Sequence, residues 1–150
     1  MARYPKQRID FRQGLRWTPK LWIIRTLIYI CGIFSLGFAL FHMGFWRLFK
    51  WKAQLAKLNF ANRGIMQILN IQLIYFFFFT AGLCFVMPDE LSQTSLGHAL
   101  LLGNALFWAL RTLMQFVHLR ADHIMIHLLT GLFLLGTVLF TLPVVLQWGL

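Results

Sequence analysis

Four apolar stretches, roughly Leu21–Trp46, Gly64–Met87, His98–Leu119 and Ile124–Leu146, leave this 150-residue chain few ways to fold. Each has about the 20 residues that a 30 Å hydrocarbon core requires of a helix rising 1.5 Å per residue. A transmembrane barrel would instead show segments of about 10 residues with alternating polarity, and none are visible. With 59% hydrophobic and 17% aromatic residues, the chain reads as an integral membrane protein rather than a soluble domain. The expected fold is all-α: a four-span transmembrane helical bundle over residues 21–150, preceded by a basic N-terminal arm over 1–20. The expected location is a bacterial inner (plasma) membrane.

The net charge of +10 sets 14 Lys and Arg against only Asp10, Asp89, Glu90 and Asp122. In a soluble protein that balance would suggest nucleic acid. Here the cations adjoin the spans, so attraction to anionic headgroups is the simpler reading: membrane lipids are the expected partners, and nucleic acid is not. Counting the cations does not orient the chain, because seven near the N-terminus face six around the connectors. Cys31 and Cys84 lie inside apolar stretches without motif spacing and read as small packing residues.

The arm interleaves Arg3, Lys6, Arg8, Arg12, Arg16 and Lys20 with Ile9, Phe11, Leu15 and Trp17, either as a membrane-surface segment or as a solvated tail. Thr18 and Pro19 supply an N-cap and a first helical residue. The run that follows is longer than a signal-peptide core and lacks a small-x-small cleavage site, so it is expected to remain as an anchor. A re-entrant path broken at Gly32, Gly37 or Gly44 is the alternative to a full span. Cys31, Ser35, Ala39 and Met43 form a small-residue seam for close helix approach.

Between the first two spans, Leu48, Trp51, Leu55 and Leu58 recur at steps of 3, 4 and 3, opposite Arg47, Lys50, Gln54 and Lys57. That spacing predicts an amphipathic interfacial helix over Arg47–Asn62. Pro88–Gly97 is expected to be a tight turn, and Pro143 to break or kink the last turn of the fourth span.

The polar residues within the spans are the candidate site. Asn104, Trp108, Arg111, Gln115 and His118 step by 4, 3, 4 and 3, a single helical face. Arg63, Gln67, Asn70 and Ile74 form another, and His123, His127, Thr130, Leu134, Thr137 and Thr141 a third. In a four-span chain His42, Arg63, Gln67, Asn70, Arg111, Gln115, His118, His123 and His127 all fall in one half of the bilayer. An ionisable residue at the depth of Arg111 is a functional-site hypothesis by default. No carboxylate lies within any span, so either Asp122 and backbone carbonyls satisfy Arg111, or an outside anion does.

Two uses of these residues compete. One is a water-filled polar core pinned by Arg111, Gln115, Asn70 and Gln67. The other is a pocket for a lipid phosphate or a carboxylate, with Arg111 and Arg63 as bidentate donors and Trp108 and the aromatic block Tyr75–Phe79 as walls. The expected function is therefore non-enzymatic, a lipid- or anionic-ligand-binding module or an accessory subunit of a larger membrane complex or homo-oligomer. No cofactor is expected on this reading. The alternative is a small redox subunit in which His42, His118 and His127 hold haem b or a metal. Proton-coupled export lacks its intramembrane carboxylate, and no phosphate loop, serine elbow or carboxylate pair supports hydrolase or kinase chemistry. A His with an Arg doing acid–base work on a lipid is the remaining enzymatic reading.

Overall fold

The computed structural model describes residues 19–119 and 123–149. The basic arm up to Thr18, with Arg120 and Asp122, lies outside the described residues. Four helices are long and apolar enough to cross a membrane: α1 (Pro19–Met43), α4 (Phe60–Val86), α6 (Ser95–His118) and α7 (Ile124–Trp148). Three short helices connect them: α2 (Phe45–Leu48), α3 (Trp51–Leu55) and α5 (Pro88–Gln93). The chain is a polytopic helical membrane protein, a four-span bundle. One end of the bundle, the connector end, carries α2, α3 and the α6–α7 link. The other carries α5, the start of α1 and the end of α7.

Each span buries a stripe near the 3.5-residue period that keeps one face on a partner. On α1 it runs Ile24, Ile28, Cys31, Ser35, Phe38; on α4 Asn70, Phe77, Ala81, Cys84; on α6 Leu101, Ala105, Trp108, Thr112, Gln115; on α7 Phe133, Gly136, Phe140, Pro143. α1 packs along α4 and α7, and α6 packs along α7. Between α4 and α6 the backbones stay farther apart, and long side chains bridge the seam. Phe76 and Phe107 meet at 5.1 Å, Phe77 stacks on Trp108 at 5.4 Å, and Thr80 Oγ1 donates to Asn104 Oδ1 at 3.4 Å.

Close approaches depend on glycine where they occur. A Cβ on Gly136 would stand 2.8 Å from Cγ and Cδ2 of Trp108, so α7 offers a flat seat for that indole. A Cβ on Gly97 would collide with the Glu90 carbonyl oxygen, which is why α6 can start directly against α5.

The small-residue seam holds for Cys31, Ser35 and Ala39, which are buried, but not for Met43, which is exposed. α1 is continuous past Gly32 and Gly37, so the first segment spans fully. The connector differs from the single amphipathic helix expected. α2 ends at Leu48, Lys50 takes a left-handed conformation with φ 49°, and α3 turns back so that Trp51 meets Trp46 at 5.3 Å and Phe45 at 5.5 Å. Trp51 and Leu55 are buried, while Leu48 and Leu58 are exposed. Aromatic contact folds the connector on itself, and Asn59 opens α4 early by accepting from the Asn62 N–H at 2.8 Å.

Pro88–Gly97 holds more than a turn: α5, then Thr94 capping α6 through the Gly97 N–H at 2.9 Å. α7 runs on through Pro143 to Trp148, so the expected break does not occur. The reason lies in α1, where Cys31 Sγ reaches the Leu139 carbonyl at 3.2 Å.

Candidate polar site above an aromatic layer

Each span contributes one large ring to a shared layer: Phe38 from α1, Phe77 from α4, Trp108 from α6 and Phe133 from α7. Phe38 lies 4.6 Å from Trp108, 5.7 Å from Phe77 and 6.0 Å from Phe133, and Trp108 stacks on Phe133 at 5.7 Å. Trp108 is only 1% exposed. Helices in lipid associate by van der Waals packing rather than by a hydrophobic drive, and offset aromatic pairs supply it with defined geometry. Trp108 is thus a core residue here rather than the wall of an open pocket.

The polar candidates lie on the connector side of this layer, in two groups. In the first, His42 stands one turn beyond Phe38, packs on Phe45 at 4.5 Å and Phe77 at 5.2 Å, and directs Nδ1 to the Phe38 carbonyl at 2.8 Å. That bond places the Nδ1 proton on the carbonyl and leaves Nε2 as an acceptor. Asn70 is buried and donates from Nδ2 to the His42 carbonyl at 3.2 Å; its buried Oδ1 has no hydrogen-bond partner among the described residues. In the second group, Gln115 is buried and donates from Nε2 to the Ile126 carbonyl and to Thr130 Oγ1, both at 2.7 Å. One group joins α1 to α4 and the other joins α6 to α7.

Arg111 belongs to neither group. Its side chain is exposed, and the guanidinium carbon lies 5.1 Å from the centroid of the buried Phe133 ring. No hydrogen bond or ion pair joins it to another described residue. This corrects the expectation that Arg111 points into the bundle with Gln115. At 100° per residue, the polar face of α6 read from the sequence is centred about 50° from the face it buries, and Arg111 about 75° from it.

The remaining candidates stay outside. Arg63, His118 and His127 are exposed, and Gln67 is half-buried. No residue of 60–69 is buried, because α4 continues well past Met43, where α1 ends, and its first turns lack that neighbour. Thr130, Thr137 and Thr141 donate to carbonyls of their own helix, those of Ile126, Phe133 and Thr137. A self-satisfied threonine stripe carries no directional information, and α7 buries a different face. His123 accepts from the Met125 N–H at 3.2 Å, as an N-cap. No group of three His, Cys, Asp or Glu residues suited to a metal occurs among the described residues.

A feature at the opposite end was not anticipated. Arg25 Nη1 lies 3.7 Å from Asp89 Oδ2, Arg25 Nε donates to the Tyr29 hydroxyl at 3.2 Å, and Tyr29 stacks on Phe85. The available signal was Arg25 set inside the first apolar stretch, with the chain's lone acidic pair in the only connector at that end. The chain matches no protein-family model, and no curated protein and no solved structure matches it with significance.

Proposed function

We propose that this protein binds the anionic head of an amphiphile, a lipid phosphate or carboxylate, at Arg111 on the connector side of the aromatic layer. The observation that carries this reading is the placement of the Arg111 guanidinium over Phe133, with no counter-charge among the described residues. A cation at this depth costs at least about 2.5–3.5 kcal/mol even on lenient insertion scales. An anion arriving from the membrane offsets that cost, and a guanidinium presents paired N–H donors that match a phosphate or carboxylate edge. Arg47, Lys50, Lys52, Lys57 and Arg63 are all exposed at this end and favour an anionic leaflet around it.

Native mass spectrometry of protein released from mixed phosphatidylglycerol/phosphatidylcholine micelles tests the reading. The wild type is expected to retain phosphatidylglycerol, Arg111→Lys to retain less, and Arg111→Gln to lose about ten-fold, the worth of one charge-assisted hydrogen bond. Equal retention by the wild type and Arg111→Gln overturns it.

A further inference from the structure

We infer, resting on the Arg111 reading, that the lipid enters sideways between α4 and α6 and keeps its acyl chain in the seam between them. Two stripes face each other there. On α4, Thr80, Phe76, Leu73, Leu69 and Met66 recur at steps of 4, 3, 4 and 3; on α6, Asn104, Phe107, Arg111 and Met114 recur at 3, 4 and 3. The first two rungs meet: Thr80 Oγ1 donates to Asn104 Oδ1 at 3.4 Å, and Phe76 lies 5.1 Å from Phe107. Arg111 holds the third α6 position, and its guanidinium extends over Phe133 of α7 instead of continuing the ladder. Beyond that rung Leu69, Met66 and Met114 are exposed, while Leu73 packs on the core. Toward the connector end the seam is thus a strip of adaptable apolar side chains with a cation at its inner end.

The rest of the bundle leaves an acyl chain no other apolar way out. Arg111 stands seven residues before His118, where α6 ends, about 10 Å along the helix. A head held there meets the four-ring layer beneath it, in which Phe38, Phe77, Trp108 and Phe133 are buried and in mutual contact. The path back toward the connector end leads to the membrane surface, where an acyl chain does not belong. α1 packs along α4 and α7, and α6 packs along α7, so three sides are closed by helices in close backbone contact. The fourth side is the α4–α6 seam, held by side chains rather than by close backbones. Bilayer and seam are about equally apolar, so seating the chain gains little by itself. The head supplies the attraction, and the seam decides which molecules can deliver a head to Arg111. The occupant is therefore a lipid already dissolved in the bilayer, an anionic head on an acyl chain, and not a free phosphate.

The test uses phosphatidylglycerol carrying a diazirine near the top of one acyl chain, in phosphatidylcholine nanodiscs. Illumination of the wild type should place adducts on Met66, Leu69 and Met114 rather than on Leu128 and Leu132, which are exposed on α7. Leu69→Trp fills the seam at an exposed position and keeps the head from the guanidinium. It should lose about ten-fold in phosphatidylglycerol retention, as much as Arg111→Gln. Ile68→Trp, exposed one residue round the same helix, should retain the lipid in full. If Leu69→Trp does not fold, as judged by circular dichroism, the adduct map of the wild type decides. Adducts spread evenly over all exposed helix faces, or equal retention by Leu69→Trp and Ile68→Trp, overturns the inference. Displacement of the lipid by soluble glycerol phosphate at matched concentration overturns the need for a chain, and the inference with it. Head and chain fail separately. Loss in Arg111→Gln without loss in Leu69→Trp leaves the head site standing and removes the sideways entry, whereas no loss in Arg111→Gln removes both.

Discussion

The thiol of Cys31 donates to the carbonyl of Leu139 at 3.2 Å, across the contact between α1 and α7. Leu139 precedes Pro143 by four residues, so its carbonyl is the one whose helical donor the proline removes. A free carbonyl within a bilayer has no water to turn to. Cys31 takes the place of the missing N–H, and α7 continues through the proline.

The first prediction concerns this exchange. Cys31→Ala leaves the carbonyl without a donor and should cost about 1–2 kcal/mol. The same substitution in a Pro143→Ala background should cost less, because the helix then supplies its own N–H. Thermal unfolding of the four proteins in detergent measures the coupling, and strictly additive losses would show that the thiol does not serve the carbonyl.

Gly136 and Gly131 lie on the same helix and predict opposite outcomes. A Cβ on Gly136 meets Trp108 at 2.8 Å and Phe34 Cε1 at 2.9 Å, whereas a Cβ on Gly131 meets nothing within 4 Å. Gly136→Ala must displace the central indole and should destabilise by about 1–3 kcal/mol, the range for overpacking. Gly131→Ala should be neutral or stabilise by up to about 1 kcal/mol, from helix propensity alone. Melting temperatures of the two variants side by side check the contrast.

Gln115 ties α6 to α7, yet its partner Thr130 already donates to the Ile126 carbonyl at 2.8 Å. Removing the amide therefore strands no carbonyl. Gln115→Leu, which keeps the volume, should cost less than about 1 kcal/mol, while Gln115→Ala adds a void and should cost about 2 kcal/mol or more. A larger loss for the leucine variant in chemical unfolding would mean that the bond itself, rather than the packing, holds the helices together.

Much of the site's failure to converge has one physical origin. On α4, the stripe read as Arg63, Gln67, Asn70 and Ile74 continues in register through the buried Phe77, Ala81 and Cys84. The face was legible; how far along it burial extends was not, because that depends on where α1 ends. On α6, polar spacing pointed about 50° away from the buried face, because Trp108 and Leu101 decide the packing more than Arg111 does. The connector misled for a similar reason: Leu48, Trp51, Leu55 and Leu58 fit one amphipathic helix by spacing, but the contact between Trp46 and Trp51 requires the reversal at Lys50.

The sequence by itself determined the number of spans, their approximate bounds and their antiparallel order. Length, hydropathy and backbone hydrogen bonding in lipid favour four full spans for four such stretches, and the unbroken α1 removes the re-entrant alternative for the first. Which helices touch was decided only in three dimensions. So were the four rings that close the middle of the bundle, the pairing of Cys31 with the carbonyl that Pro143 leaves open, and the position of Arg111 outside the polar groups. In a membrane the apolar side chains of a helix face lipid and protein with nearly equal ease. Local spacing then states what each helix carries, and only the fit of rings, glycines and orphaned backbone groups selects the face that turns inward.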